Sequence, residues 1–131
     1  MKKSISIILL WLISITAMAD SPKKISYQAV VRNTKGELVT NKTVGVKISI
    51  YYYATKTTTV TEYAETHTTL TNGNGLMTIE IGTGTVVTGV FTDLNWATRI
   101  YYFKTEIDTE GGTKYTIISE TQILSVPYAL H

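Results

Sequence analysis

The sequence predicts an all-β protein, an antiparallel sandwich of about seven short strands. Three observations lead there. Threonine and tyrosine are abundant while alanine, leucine and glutamate are scarce; apolar and polar residues alternate with period two over long stretches; and turns rich in Gly, Asn and Asp punctuate them. β-branched and aromatic side chains fit a pleated surface, and a period of two puts alternate residues on opposite faces of a strand. No cysteine occurs, so packing and ladder hydrogen bonds must hold the fold without disulfides or thiolate metal sites.

The first periodic segment, Ile25 to Val31, puts Ile25, Tyr27, Ala29 and Val31 on one face and Ser26 and Gln28 on the other. Asn33-Thr34-Lys35-Gly36 predicts a turn with Gly36 at positive φ, followed by a short Leu38-Val39 element. The clearest strand is Thr43 to Tyr53, where Val44, Val46, Ile48, Ile50 and Tyr52 alternate against Lys47, Ser49, Tyr51 and Tyr53. A strand from Val60 to Leu70 leads to Asn72-Gly73-Asn74-Gly75, a hairpin signal that predicts Leu76 to Ile81 pairing back antiparallel. Gly82-Thr83-Gly84 and Gly89 bracket a loop, and Phe91 to Trp96 suits one helical turn plugging an end of the core. Ile100 to Ile107 is a strand, and Asp108 to Gly112 turns the chain into a last one, Thr113 to Val126, where a break in alternation near Ser119 suggests a bulge or two shorter strands. Without crossover helices a parallel βαβ sheet is excluded, leaving a two-sheet sandwich, immunoglobulin-like or prealbumin-like. Its core candidates are Val46, Ile48, Ile50, Ile79, Ile81, Tyr101 and Phe103.

The N-terminus reads as a signal peptide: Lys2 and Lys3 carry the charge, Ile5 to Ile15 the apolar run, and Ala17-Met18-Ala19 the cleavage box, with cleavage after Ala19. The apolar run is shorter than the roughly 20 residues that span a bilayer, so no membrane span is expected after its removal. Residues 20–131 then form a single domain. Losing Lys2 and Lys3 leaves ten basic against ten acidic side chains. A neutral domain gives no basis for nucleic acid or an anionic membrane as partner.

Catalytic constellations are weak. The two histidines are His67, expected to be a surface or cross-strand residue, and His131 at the end, and no Gly-x-Ser-x-Gly motif accompanies them. Glu62 and Glu65, three apart in a strand, are expected on opposite faces, and Glu106 and Asp108 read as solvated acids beside a turn. Asp108-x-Glu110 lacks the oxygens of a calcium loop, and Gly82-x-Gly84 lacks the continuation of a phosphate loop. The expectation is a non-catalytic protein with no metal, no cofactor and no catalytic residue. Asn41-Lys42-Thr43 matches an N-glycosylation acceptor but equally suits a turn before a strand.

What remains is aromatic surface. Tyr51 and Tyr53, with Tyr102 from another strand, are expected to face outward as a rigid patch able to bind sugars, peptides or a partner protein, or simply to cover the sheet.

Several phrases also carry a resemblance: Ile25-Ser26-Tyr27-Gln28-Ala29-Val30-Val31-Arg32, Thr43 to Ile50, Glu65-Thr66-His67-Thr68, Gly75 to Gly84, and Leu124-Ser125-Val126-Pro127-Tyr128-Ala129-Leu130. Together they resemble the N-terminal β-sandwich module of secreted surface proteins of Bacteroidota, which precedes collagen-like or tail-fibre-like segments. The resemblance implies a secreted or cell-surface location and a structural or adhesive role. In that family the Val-Pro-Tyr-Ala-Leu ending leads into a further region, whereas this sequence ends at His131, as in a stand-alone or trimmed module. The expected partners are a protein or an extracellular glycan, with self-association through unpaired edge strands.

Overall fold

The computed structural model describes residues 23–122. The signal peptide with its Ala19 cleavage site, the Leu124 to Leu130 phrase and His131 lie outside them. Seven strands are present: β1 (Ile25–Val30), β2 (Thr43–Tyr53), β3 (Thr59–Leu70), β4 (Leu76–Ile81), β5 (Thr85–Thr88), β6 (Tyr102–Asp108) and β7 (Ile117–Gln122). They form two antiparallel sheets, one of two strands, β1-β4, and one of five in the order β5-β3-β2-β6-β7.

Alternation explains how the two sheets share an interior. In β1 the half-buried positions are Ile25, Tyr27 and Ala29, and the register sets them opposite Ile81, Ile79 and Met77 of β4. In β2, Val44, Val46, Ile48 and Ile50 are each no more than 1% exposed. The apolar faces of both sheets join in one cluster with Val31, Tyr63, Tyr101 and Ile107. Burial of each Val or Ile contributes about 1.5–3 kcal/mol, so the β2 stripe alone is a large share of what holds the sheets together. Tyr27 and Phe103 meet edge to face at 6.1 Å across the layers. All seven expected core residues belong to this cluster, Phe103 as a partly buried member. The expected helical turn is a short 3-10 turn, Phe91–Asp93, and it seats Phe91, Leu94 and Trp96 in the core.

Three expectations are corrected. First, β4 does not pair back on β3 but crosses to β1. The Thr71 N–H still bonds the Lys42 carbonyl (2.9 Å), after which Asn72 reorganises the chain. Its side-chain oxygen accepts the N–H groups of Asn74 (2.9 Å) and Leu76 (3.0 Å), and the Val31 N–H then bonds the Gly75 carbonyl at 2.8 Å. Buried Met77, Ile79 and Ile81 thereby cover the stripe on β2, which pairing at the edge of the same sheet would not allow.

Second, the segment expected as a glycine-bracketed loop contains β5, which occupies the free edge of β3. All four of its residues are exposed, so no burial alternation marks it in the sequence. Leu38, expected in a short strand, makes only an isolated bridge with Arg32. The count of seven thus stands with a different membership. Third, β7 starts at Ile117 and keeps an unbroken register with β6 from Ile117 to Gln122, so no bulge occurs at Ser119. The irregularities fall instead on the pairings of β3, between Ile50 and Tyr51 of its β2 partner and between its own Ala64 and Glu65 opposite β5.

Candidate functional site

The β2–β6 register sets Tyr51 directly opposite Tyr102. Since Ile48 and Ile50 point into the core, Ser49, Tyr51 and Tyr53 must point to the other face of the five-stranded sheet. Three tyrosines are thus gathered there. Tyr51 and Tyr102 stack at 5.5 Å with their planes 22° apart, and Tyr53 meets Tyr102 edge to face at 5.2 Å. The expected trio is brought together, but its members are not equally available. Tyr53 is 48% exposed, Tyr102 half-buried and Tyr51 only 6% exposed, covered by its neighbours although it lies outside the core cluster.

Tyr51 donates its hydroxyl proton to Glu120 of β7. Burial, reinforced by that hydrogen bond and by the carboxylate charge, pushes its phenol well above the usual tyrosine range. Tyr51 is therefore a fixed neutral donor that locks the trio to β7.

Two clefts flank this ridge, and Tyr53 lines both. One, of about 440 Å³, lies towards Tyr52, Thr98, Arg99 and Ile100. Arg99 is presented there by a turn in which its N–H bonds the Asn95 carbonyl (3.1 Å). Its guanidinium sits 4.1 Å over the Tyr52 ring and pairs with Glu62. Glu62 also accepts the Tyr101 hydroxyl (2.5 Å), which in turn accepts the Asn95 N–H (2.9 Å). The other cleft, of about 520 Å³, is more polar, with Lys56, Thr57, Thr59, Lys104 and Glu120 around Tyr53. Its Lys56 comes from the β2–β3 connection, which closes on itself through the Ala54 N–H to Thr58 carbonyl bond (2.9 Å) and through the Thr55 hydroxyl, acceptor for the Thr57 and Thr58 N–H groups.

A second polar cluster lies inside the protein. Glu65 is 0% exposed and shares a face of β3 with Tyr63 and His67. Its carboxylate accepts the Tyr63 hydroxyl (2.5 Å) and the N–H groups of Gly82 (2.7 Å) and Gly84 (3.2 Å), and it meets Nε2 of His67. The glycine pair is therefore a cradle for an internal anion. Gly82 needs its lack of a side chain for φ +106°, and at Gly84 a Cβ would lie 2.6 Å from the Thr66 carbonyl oxygen and 2.8 Å from Oε2 of Glu65. Two phrases of the sequence fingerprint, Glu65-Thr66-His67-Thr68 and the end of Gly75 to Gly84, are thus cross-linked in space.

This placement corrects the earlier reading. Of the two placements expected for His67, surface and cross-strand, the structure gives the second: it stands opposite Val46 of β2, its side chain is 13% exposed, and it meets Glu65. Glu62 and Glu65 have no partner in common, and Glu62 falls where β3 carries one extra residue, between Tyr63 opposite Ile50 and Thr61 opposite Tyr51. Both carboxylates reach hydroxyls of core tyrosines, Tyr101 and Tyr63. Asp108 is not solvated: at 6% exposure it accepts the N–H groups of Glu110 (2.9 Å) and Lys114 (3.0 Å), and those bonds hold its carboxyl below the usual range. Among the described residues no group of three His, Asp or Glu side chains is arranged to hold a metal. Parity alone puts Lys104 on the Tyr102 face of its strand, but sequence reasoning missed Lys56, Arg99 and Glu120, because they come from other parts of the chain and only the fold brings them beside the tyrosines.

A family model described as a domain of unknown function (DUF8740) matches residues 26–123. No curated protein and no solved structure matches the chain.

Proposed function

This chain belongs to the DUF8740 family, and we propose that it is a non-catalytic extracellular interaction module of the surface-protein or adhesin type, with the tyrosine ridge as its recognition face. The observation that carries this reading is Tyr53, half exposed on a rigid sheet between two clefts and braced by Tyr51 and Tyr102. Stacked tyrosines offer contact area that is already ordered, so binding costs little conformational entropy. The two β3 carboxylates do not compete for such a role: buried Glu65 is engaged by Tyr63, His67 and its glycine cradle, and half-buried Glu62 by Arg99 and Tyr101. Both brace the fold.

The wider reading comprises export through the signal peptide with cleavage after Ala19, a secreted or cell-surface location as in the Bacteroidota modules it resembles, and a sandwich of immunoglobulin-like or prealbumin-like kind. Self-association through an edge strand belongs to it as well: β5 is an edge of the five-stranded sheet, with Val86 and Val87 each more than half exposed.

The test compares wild type with the Tyr53→Ala/Tyr102→Ala double variant, first by circular dichroism and then for adhesion to intact cells and to a protein and glycan array. Loss of a specific partner with the fold retained supports the reading. Undiminished binding by the double variant, or turnover of any array ligand by wild type, overturns it. A second reading, a carbohydrate-binding module, is favoured by the hydroxyl-rich lining of the larger cleft, where Thr57, Thr59 and Thr61 surround Tyr53.

A further inference from the structure

We infer that the ridge binds an acidic glycan, with sugar rings against Tyr53 and Tyr102 and sugar carboxylates held by Lys56 and Lys104. The inference rests on the reading of this face as the recognition surface and adds the chemistry of its ligand.

Charge is the first argument. The larger cleft brings Lys56 and Lys104 to its walls, and among the described residues neither makes an ion pair. The carboxylate in the cleft, Glu120, is engaged by the Tyr51 hydroxyl. Glu120 stands opposite Lys104 in the β6–β7 register, so two ammonium groups against one carboxylate leave the cleft with an excess of one positive charge, centred on Lys56, on a domain whose overall charge is nearly balanced. The complementary ligand therefore carries anions.

Shape is the second. Because Tyr53 lines both clefts, an occupant lying across it touches Lys56 and Lys104 on one side and the Arg99 and Ile100 cleft on the other. Two adjoining clefts of about 440 and 520 Å³ suit an extended chain of repeating units better than one compact molecule.

Backbone topology separates a glycan from an acidic peptide. Peptides that add to a sheet use unpaired strand edges. Here β2 is paired with β3 along its length and with β6 as far as Tyr51 opposite Tyr102, and β6 is paired with β7, so only Tyr52 and Tyr53 lie beyond the β6 ladder, too short an edge for an added peptide strand. It offers ring faces together with the hydroxyls of Thr57, Thr59 and Thr61, which both donate and accept, as sugar hydroxyls require.

The intact protein is titrated calorimetrically with a panel of galacturonate, glucuronate-containing and sialylated oligosaccharides, with a neutral galactan oligomer and with poly-L-glutamate. Binding to at least one acidic oligosaccharide is expected. Raising salt weakens it, Lys56→Gln or Lys104→Gln weakens it by about tenfold, as loss of a charge-assisted hydrogen bond should, and Tyr53→Ala abolishes it while Tyr53→Phe keeps most of it. The inference is overturned if no acidic oligosaccharide binds, if the neutral oligomer binds as well as the acidic ones, or if poly-L-glutamate binds equally and ignores Tyr53→Ala. If the neutral oligomer or the peptide binds as well as the acidic oligosaccharides and Tyr53→Ala abolishes that binding, the acidic-glycan assignment falls and the recognition face stands; if Tyr53→Ala alters binding of nothing, both fall.

Discussion

Removing the Glu65 carboxylate tests how the interior is organised. At 0% exposure it is the acceptor for the Tyr63 hydroxyl and for the N–H groups of Gly82 and Gly84. Replacing a buried charge by an apolar residue of similar volume is often harmless, because the desolvation cost of the charge is recovered. That compensation is incomplete here, since the buried Tyr63 hydroxyl loses its acceptor and the half-buried Gly82 and Gly84 N–H groups are left to whatever water reaches them. An orphaned buried donor costs roughly 1–3 kcal/mol. Glu65→Leu is therefore expected to lose about 2–4 kcal/mol, a large part of the 5–15 kcal/mol that typical domains possess. Glu65→Gln keeps one acceptor oxygen and aims an NH2 group at the remaining donors, so about 2–3 kcal/mol is expected. Urea unfolding followed by circular dichroism measures both, with unchanged slope as the check that the folded state is intact. A cycle with Tyr63→Phe should be non-additive by about 1 kcal/mol, because the two substitutions remove the same hydrogen bond. Glu65→Leu as stable as wild type would refute the claim that the carboxylate organises the Gly82–Gly84 turn.

Other outcomes follow from the same contacts. Gly89→Ala should unfold or severely destabilise the protein, because its Cβ would sit 2.0 Å from the Glu62 carbonyl oxygen at φ +75°; a fall in melting temperature or loss of soluble expression reads this. Ile48→Ala, at 1% exposure in the β2 stripe, should cost about 2–5 kcal/mol by urea unfolding, the range for cavities that cannot collapse. Asp108, held low first by the Glu110 N–H, contributes stability that is complete above the ordinary aspartate range and is lost as pH falls through its lowered value. Melting temperatures measured from about pH 5 down to pH 2 should accordingly fall less steeply in Asp108→Asn than in wild type.

How much was legible in the sequence differs from one element to the next. Alternation from Val44 to Ile50 identifies β2 and its buried face without reference to any other strand, because the side-chain direction in a strand depends only on residue parity. The same local rule locates β1, β4 and β6, and the clustered apolar residues Phe91, Leu94 and Trp96 mark the turn that caps the core. It fails where burial has no period: β5, exposed at all four positions, is held by its ladder to β3. It fails again at Glu62, where one extra residue changes which neighbours the carboxylate reaches.

Composition and periodicity thus determined an all-β chain whose apolar stripes must be covered by a second layer, and they selected Tyr51, Tyr53 and Tyr102 as outward candidates. Only the tertiary structure decided that β4 crosses to β1, that Tyr51 lies beneath its neighbours on Glu120, that Glu65 meets His67 and sits in a glycine cradle, and that Lys56 borders the ridge. The division has one physical cause. Side-chain direction is set by neighbours along the chain, whereas strand register and partner choice depend on backbone groups and side chains tens of residues away, which no local pattern encodes.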